Sequence, residues 1–203
     1  MQQSLFNSYI EYLQKECRRP RDEKDFPLWS AIQREHGLRS FQKWEKQQIA
    51  ATFLKTKTLL TSDLTFSEYG TREKILAIVY TWLEVLEPYR EFLQVLHTID
   101  GRAKTSSVWD EVKPQFLLWT QDIIEAGLAI REVANRPFIP SQYPWLLWAQ
   151  MVSILAYWME DTSEEHVRTD LFIEKGLNFL FDVLQPNALD SGWDFIRFFL
   201  PKP

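Results

Sequence analysis

Apolar residues recur every three or four positions along nearly the whole chain, and nowhere does the two-residue alternation of a half-buried strand take over. Phe6, Ile10 and Leu13 mark the stripe of a first helix, closed by Arg18, Arg19 and Pro20. Residues 21–37 are interrupted by Pro27 and offer only a short stripe of Leu28, Ile32 and Leu38. Phe41, Trp44, Gln48, Ala51, Leu54 and Leu59 predict a long helix to about Leu60. The polar run 61–70 breaks the pattern, and the expected domain boundary lies there: a head of residues 1–60 and a body of residues 61–203.

In the body, Ile75, Ile78, Val79, Trp82 and Leu86 define a helix that Pro88 ends or kinks, and Tyr89, Phe92, Leu93 and Leu96 continue on a short one. After a loop at 101–107, Val112, Phe116, Trp119, Ile123 and Ile130 predict a helix starting near Pro114, since proline suits a first turn. The stretch 135–144, with three prolines, reads as a connector. Helices over 145–160 and 164–184 follow, with Thr162 and Glu165 spaced as a capping box between them. A short last helix is expected over 190–200, carrying Trp193, Phe195, Ile196, Phe198 and Phe199. The fold class is all-α.

The helix over 145–160 is apolar on nearly every side, and an amphipathic surface helix would show one stripe only. Its neighbour carries Phe172, Leu177, Leu180 and Phe181, with Gly176 permitting close backbone approach. Two adjacent helices with surplus apolar surface predict a homodimer interface, with Leu147, Ile154, Trp158, Phe172, Gly176 and Leu180 as its candidate contacts.

Composition sharpens the picture in three respects. Aromatic residues make up 15% of the chain, nine of them Trp, which predicts a bulky core, an apolar cavity, or both. Trp82, Leu86, Phe92, Trp119, Ile123, Trp148 and Met151 are the candidate lining of such a cavity for an apolar small molecule or lipid. The net charge of −5 is uneven: residues 1–60 hold 11 Lys/Arg against 7 Asp/Glu, while residues 61–203 hold 12 against 21. A basic head on an acidic body suits a head that meets phosphate.

Catalytic chemistry finds no support. His36, His97 and His166 are far apart and match no metal-ligand spacing, and Cys17 stands alone. Glu84, Glu87 and Glu91 share a helix face without the histidines of a di-iron site and read as solvated. No phosphate-binding glycine loop or nucleophile elbow occurs. The expectation is a protein that is not an enzyme, with no cofactor and no metal. With no signal sequence or membrane-spanning run, a cytoplasmic location is expected.

The runs Tyr80-Thr-Trp82-Leu-Glu84-Val-Leu86-Glu-Pro88-Tyr89-Arg90 and Tyr157-Trp158-Met-Glu160-Asp161-Thr162-Ser163 carry a resemblance. With Thr169-Asp170, Glu174-Lys175, Asn178 and the closing Leu189-Asp190-Ser191-Gly-Trp193-Asp194-Phe195, they resemble a subgroup of TetR-like regulators over residues 68–200. The resemblance implies a DNA-binding head, a helical body with a ligand cavity, and dimerisation through the last two long helices. The head departs from that pattern. A helix-turn-helix needs two helices and a tight turn, and residues 21–38 contain Pro27 and no such turn. Arg34, Arg39 and Lys43 remain as candidate contacts to operator DNA. Two functions are carried forward: a ligand-controlled, dimeric TetR-like regulator, or a TetR-fold protein without specific DNA binding that holds a lipid or isoprenoid-like molecule or a protein partner.

Overall fold

The structure is a computed structural model that describes residues 2–37, 40–100, 107–135 and 140–184. The helices are α1 (Gln2–Glu16), α2 (Trp29–His36), α3 (Phe41–Ser62), α4 (Thr71–Leu86), α5 (Arg90–Asp100), α6 (Val112–Ala129), α7 (Tyr143–Glu160) and α8 (Val167–Leu184), with a short 3-10 turn in each connection after α3. No strand occurs among the described residues, so the chain is all-α. The helix expected over 190–200 lies outside the described residues.

Local chemistry explains most helix ends. Gly37 closes α2 in the left-handed conformation (φ 62°), its N–H donating to the Gln33 carbonyl at 2.8 Å. Glu132 accepts from the Thr71 N–H at 2.7 Å and Glu73 from the Gly70 N–H at 2.9 Å, which satisfies orphan donors at the start of α4. Pro88 sits in the 3-10 turn between α4 and α5, as its missing N–H requires, and Pro144 lies in the first turn of α7. Pro114 likewise falls in the first turn of α6, which begins two residues earlier than expected. Ile130 lies just past the end of α6 and is exposed rather than part of its buried face, because the chain turns away at Arg131 (φ 65°).

The capping box expected before α8 does not form. Asp161 anchors the turn: one carboxylate oxygen accepts from the Ser163 N–H and hydroxyl at 2.9 and 2.7 Å, and the other from the Thr169 N–H and hydroxyl at 2.9 and 2.7 Å. These four donors hold its carboxyl well below the ordinary carboxylate range, against the effect of burial. Glu165 and His166 are left-handed (φ 50° and 58°), and the α-helix starts only at Val167.

Two compact units interleave along the chain. The first comprises residues 1–58 and 82–113, the second residues 59–81 and 114–203. The first is built on aromatic rings. Phe6 meets Phe92 edge-on at 4.9 Å, Tyr9 meets Trp44 at 5.2 Å, and Trp29 stacks on Phe41 at 3.9 Å, which fastens α2 to α3. The second unit centres on Ile75, Ile78, Phe116, Ile124, Tyr143, Ile154, Ile173 and Leu177, all fully buried.

The stripe of α3 is rotated from the expected one. Phe41, Glu45, Ile49, Thr52, Phe53 and Thr56 face inward together with Trp44, while Leu54 and Leu59 face water. The inward face carries polar side chains because each has a partner. The Trp82 indole N–H donates to the Thr52 hydroxyl at 3.0 Å, and Thr56 donates to the Thr52 carbonyl at 3.0 Å.

Candidate functional site

The surface with the largest apolar residues in water is the outer side of α7 and α8. Gly176 lies against the Gln150 side chain, whose amide end would have to move aside for a Cβ at this position. One turn on, the Tyr157 and Phe172 rings stack at 4.8 Å with planes 7° apart. Tyr157, Arg168, Leu171, Phe172, Lys175 and Gly176 line a shallow groove of about 490 Å³. Trp145, Leu146, Val167, Leu171 and Phe179 are exposed, Phe179 to 70%.

The six expected dimer contacts divide between the two sides of these helices. Phe172 and Gly176 line the outer groove. Leu147, Ile154, Trp158 and Leu180 are buried inside the subunit and belong to its core. The phase of α7 explains the split: 147, 151, 154 and 158 share the inward stripe, and 146, 153 and 157 face outward. Counting apolar residues on a helix that is apolar all round cannot choose between those stripes.

The seven candidate ligand residues are all buried. Trp82, Leu86 and Phe92 lie in the first unit, where Trp82 packs edge-on against Phe53 at 5.0 Å and Trp109 at 5.9 Å. Trp119, Ile123, Trp148 and Met151 lie in the second, with Trp148 against Phe116 at 5.3 Å and Trp119 against Phe66 at 6.0 Å. None of the seven lines the outer groove of α7 and α8.

Of the candidate DNA contacts, Arg34 is exposed on α2, its Nε donating to the Ser30 carbonyl at 3.2 Å. Lys43 is exposed in the first turn of α3, where the Ser40 hydroxyl accepts from its N–H at 3.2 Å. Arg39 lies outside the described residues. Among the described residues between α1 and α3 there is one helix of eight residues, preceded by a turn holding Pro27. The segment that a helix-turn-helix would fill with two helices therefore carries one.

Sequence reading missed an ionic cluster in the first unit. Arg19 Nε donates to both oxygens of Glu45 at 3.0 and 2.9 Å, and its two terminal nitrogens reach Asp100 at 2.5 and 3.2 Å. The Tyr9 hydroxyl donates to Glu45 at 2.7 Å. Burial pushes the Glu45 carboxyl up from its ordinary value, against the attraction of Arg19. Burial works against the charge on Arg19 as well, but the hydrogen bond to Asp100 and the charge of Glu45 outweigh it and raise its pKa. Burial, then the adjacent Glu45 charge, raises the Tyr9 phenol far above its usual value. The cluster ties the chain after α1 to α3 and to the end of α5.

Glu84, Glu87 and Glu91 are exposed, and Cys17 is exposed at the end of α1. Among the described residues no group of His, Cys, Asp or Glu is placed to hold a metal ion, and no helix is long and apolar enough to cross a membrane.

A family model described as the C-terminal domain of tetracyclin repressor-like proteins matches residues 74–199. The chain belongs to that family. The match begins within α4 and runs past the end of α8, so the α7–α8 surface lies inside it. No curated protein and no solved structure matches the chain. Membership in this tetracyclin repressor-like family agrees with the all-α fold and points toward regulators rather than enzymes.

Proposed function

We propose that this member of the tetracyclin repressor-like family is a transcription regulator that acts as a homodimer, holds operator DNA through its N-terminal residues, and is controlled by an apolar small molecule. The outer face of α7 and α8 supports the reading most. Leu146, Tyr157, Leu171 and Phe179 are exposed beside the half-buried Phe172, an apolar surface that the described residues leave open, and contiguous patches of that kind mark interaction sites. A second copy across a two-fold axis covers both faces at once. In this reading Phe172 and Gly176 are interface contacts, and Leu147, Ile154, Trp158 and Leu180 brace them from behind.

Residues 1–60 serve as the head and residues 61–203 as the body. Arg34, Arg39 and Lys43 meet phosphates, and the apolar effector enters by parting aromatic side chains among the seven buried candidates. A gel-shift titration of the purified protein on the DNA upstream of its own gene, across a salt series, tests the reading. Sequence-specific retardation that survives about 150 mM salt supports it, because non-specific phosphate contacts fall away steeply with salt.

A second reading rests on the single eight-residue helix between α1 and α3. A recognition helix needs its partner helix to fix it in the major groove. Without that support the family fold serves to bind a lipid or isoprenoid-like molecule or a protein, and the same titration then gives only weak, salt-sensitive retardation on every sequence.

A further inference from the structure

A second groove in the same unit lies on the other flank of α8 and has the opposite charge. It measures about 380 Å³ and runs between α8 and the first turns of α4, lined by Arg72, Leu76, Tyr80, Val167, Asp170, Leu171, Glu174 and Asn178. Leu171 forms the ridge between the two grooves. On a helical wheel, Arg168 and Lys175 fall on one side of Leu171, and Asp170 and Glu174 on the other. The outer groove is therefore rimmed by cations and this one by carboxylates.

Its apolar surface is accessible: Tyr80, Val167 and Leu171 are each more than 40% exposed. One end is occupied by Arg72, whose guanidinium is held by the Asn178 side chain. The other end carries Asp170 and Glu174, close enough to Tyr80 to raise its phenol, after the effect of burial. From Val167 to Asn178 the groove follows α8 for roughly 16 Å at the helical rise of about 1.5 Å per residue, which is the length of three helical turns.

We propose that this groove docks a cationic amphipathic helix of a partner protein, its apolar face on Leu76, Tyr80, Val167 and Leu171 and its basic residues against Asp170 and Glu174. Charge complementarity selects a basic partner over an acidic one, and the polarity of the groove sets its direction. Basic side chains sit over the first half of α8, and a carboxylate or the carbonyl end of the helix meets Arg72. An apolar face of three or four side chains at helical spacing covers the exposed floor. The site shares the Leu171 ridge with the proposed dimer face but needs neither DNA nor dimerisation for its other contacts, so its test is separate from that of the proposed function.

The test uses the full-length protein and two fluorescent 14-residue helical peptides in which leucines at helical spacing alternate with lysines in one and with glutamates in the other. Binding is followed by anisotropy at about 150 mM salt. The lysine peptide is expected to bind saturably and at least about ten times more tightly than the glutamate peptide. Asp170→Asn with Glu174→Gln should weaken it about tenfold, and Val167→Asp should strengthen the charge but still abolish binding by wetting the floor. Asp122→Asn with Glu125→Gln removes two exposed carboxylates from α6 and should change the affinity less than about twofold. Equal losses from the α6 and α8 pairs would show attraction to net charge alone and overturn the proposal, as would binding that ignores Val167→Asp. Thermal melts of each variant confirm that it is folded before its affinity is read.

Discussion

Arg19 and Glu45 form a two-pronged ion pair, Nε to both carboxylate oxygens at 3.0 and 2.9 Å, in a site where Glu45 is 1% exposed. A carboxylate that deep holds its charge only while the guanidinium is present. Arg19→Met leaves it unpaired and is expected to destabilise the protein by about 3–5 kcal/mol in urea unfolding. The double change Arg19→Met with Glu45→Gln should recover part of that loss. A loss that is merely additive would show that the two residues do not act as a unit.

The Trp82 indole and the Thr52 hydroxyl make the corresponding neutral pair, at 3.0 Å. Thr52→Val keeps the shape and removes the acceptor, so a buried N–H is left unmatched. An expected cost of about 1–3 kcal/mol follows. Thermal denaturation with Trp82→Phe beside it separates lost packing from lost hydrogen bonding.

Asp161 gives the fold a pH signature. Its carboxyl is depressed by Ser163 and Thr169, so its ionised form is favoured in the folded chain. The contribution is complete above the unfolded value, near pH 4, and falls away as pH drops from there toward the depressed folded value. Asp161→Asn should therefore lower Tm by a constant amount from pH 8 to about pH 5, with the gap to the native protein closing below about pH 4. A gap that persists unchanged at pH 3 would contradict the assignment.

The two sides of α7 and α8 should answer different measurements. Phe179→Ala with Tyr157→Ala is expected to raise the dimer dissociation constant by about 30-fold or more in sedimentation, with little change in monomer stability, as truncation of interface anchors does. Ile154→Ala should instead cost about 2–5 kcal/mol of stability, as a fully buried core residue does. Native protein that sediments as a monomer at micromolar concentration would remove the interface.

If the head holds DNA, Arg34→Ala and Lys43→Ala should each lower the slope of log affinity against log salt by about 0.9, the loss of one phosphate contact. Affinity should fall alike on all sequences. An unchanged slope would place both side chains away from the DNA.

Periodicity was enough to determine the fold class, and single residues determined several helix ends. Pro88, Pro144 and Gly37 have backbone requirements that hold in any surroundings, and each sits where those requirements put it. The motifs between Tyr80 and Phe195 carried the family, because side-chain identities at fixed spacings survive without knowledge of the packing. Rotation of the helices was a different matter. In α7 apolar residues occupy every side, so spacing could not tell Leu147 and Ile154, which face the core, from Leu146 and Tyr157, which face out. In α3 the buried stripe includes Glu45, Thr52 and Thr56, whose partners make burial tolerable. The partners of Glu45 and Thr52 lie far away in sequence: Arg19 is 26 residues from Glu45 and Trp82 is 30 from Thr52. The same holds at the α7–α8 corner, where a capping pattern of the right spacing lost to Asp161, which offers two oxygens to four donors. A sequence states which side chains are apolar, but whether a polar one is buried depends on what the rest of the chain brings to meet it, and only tertiary packing decides that.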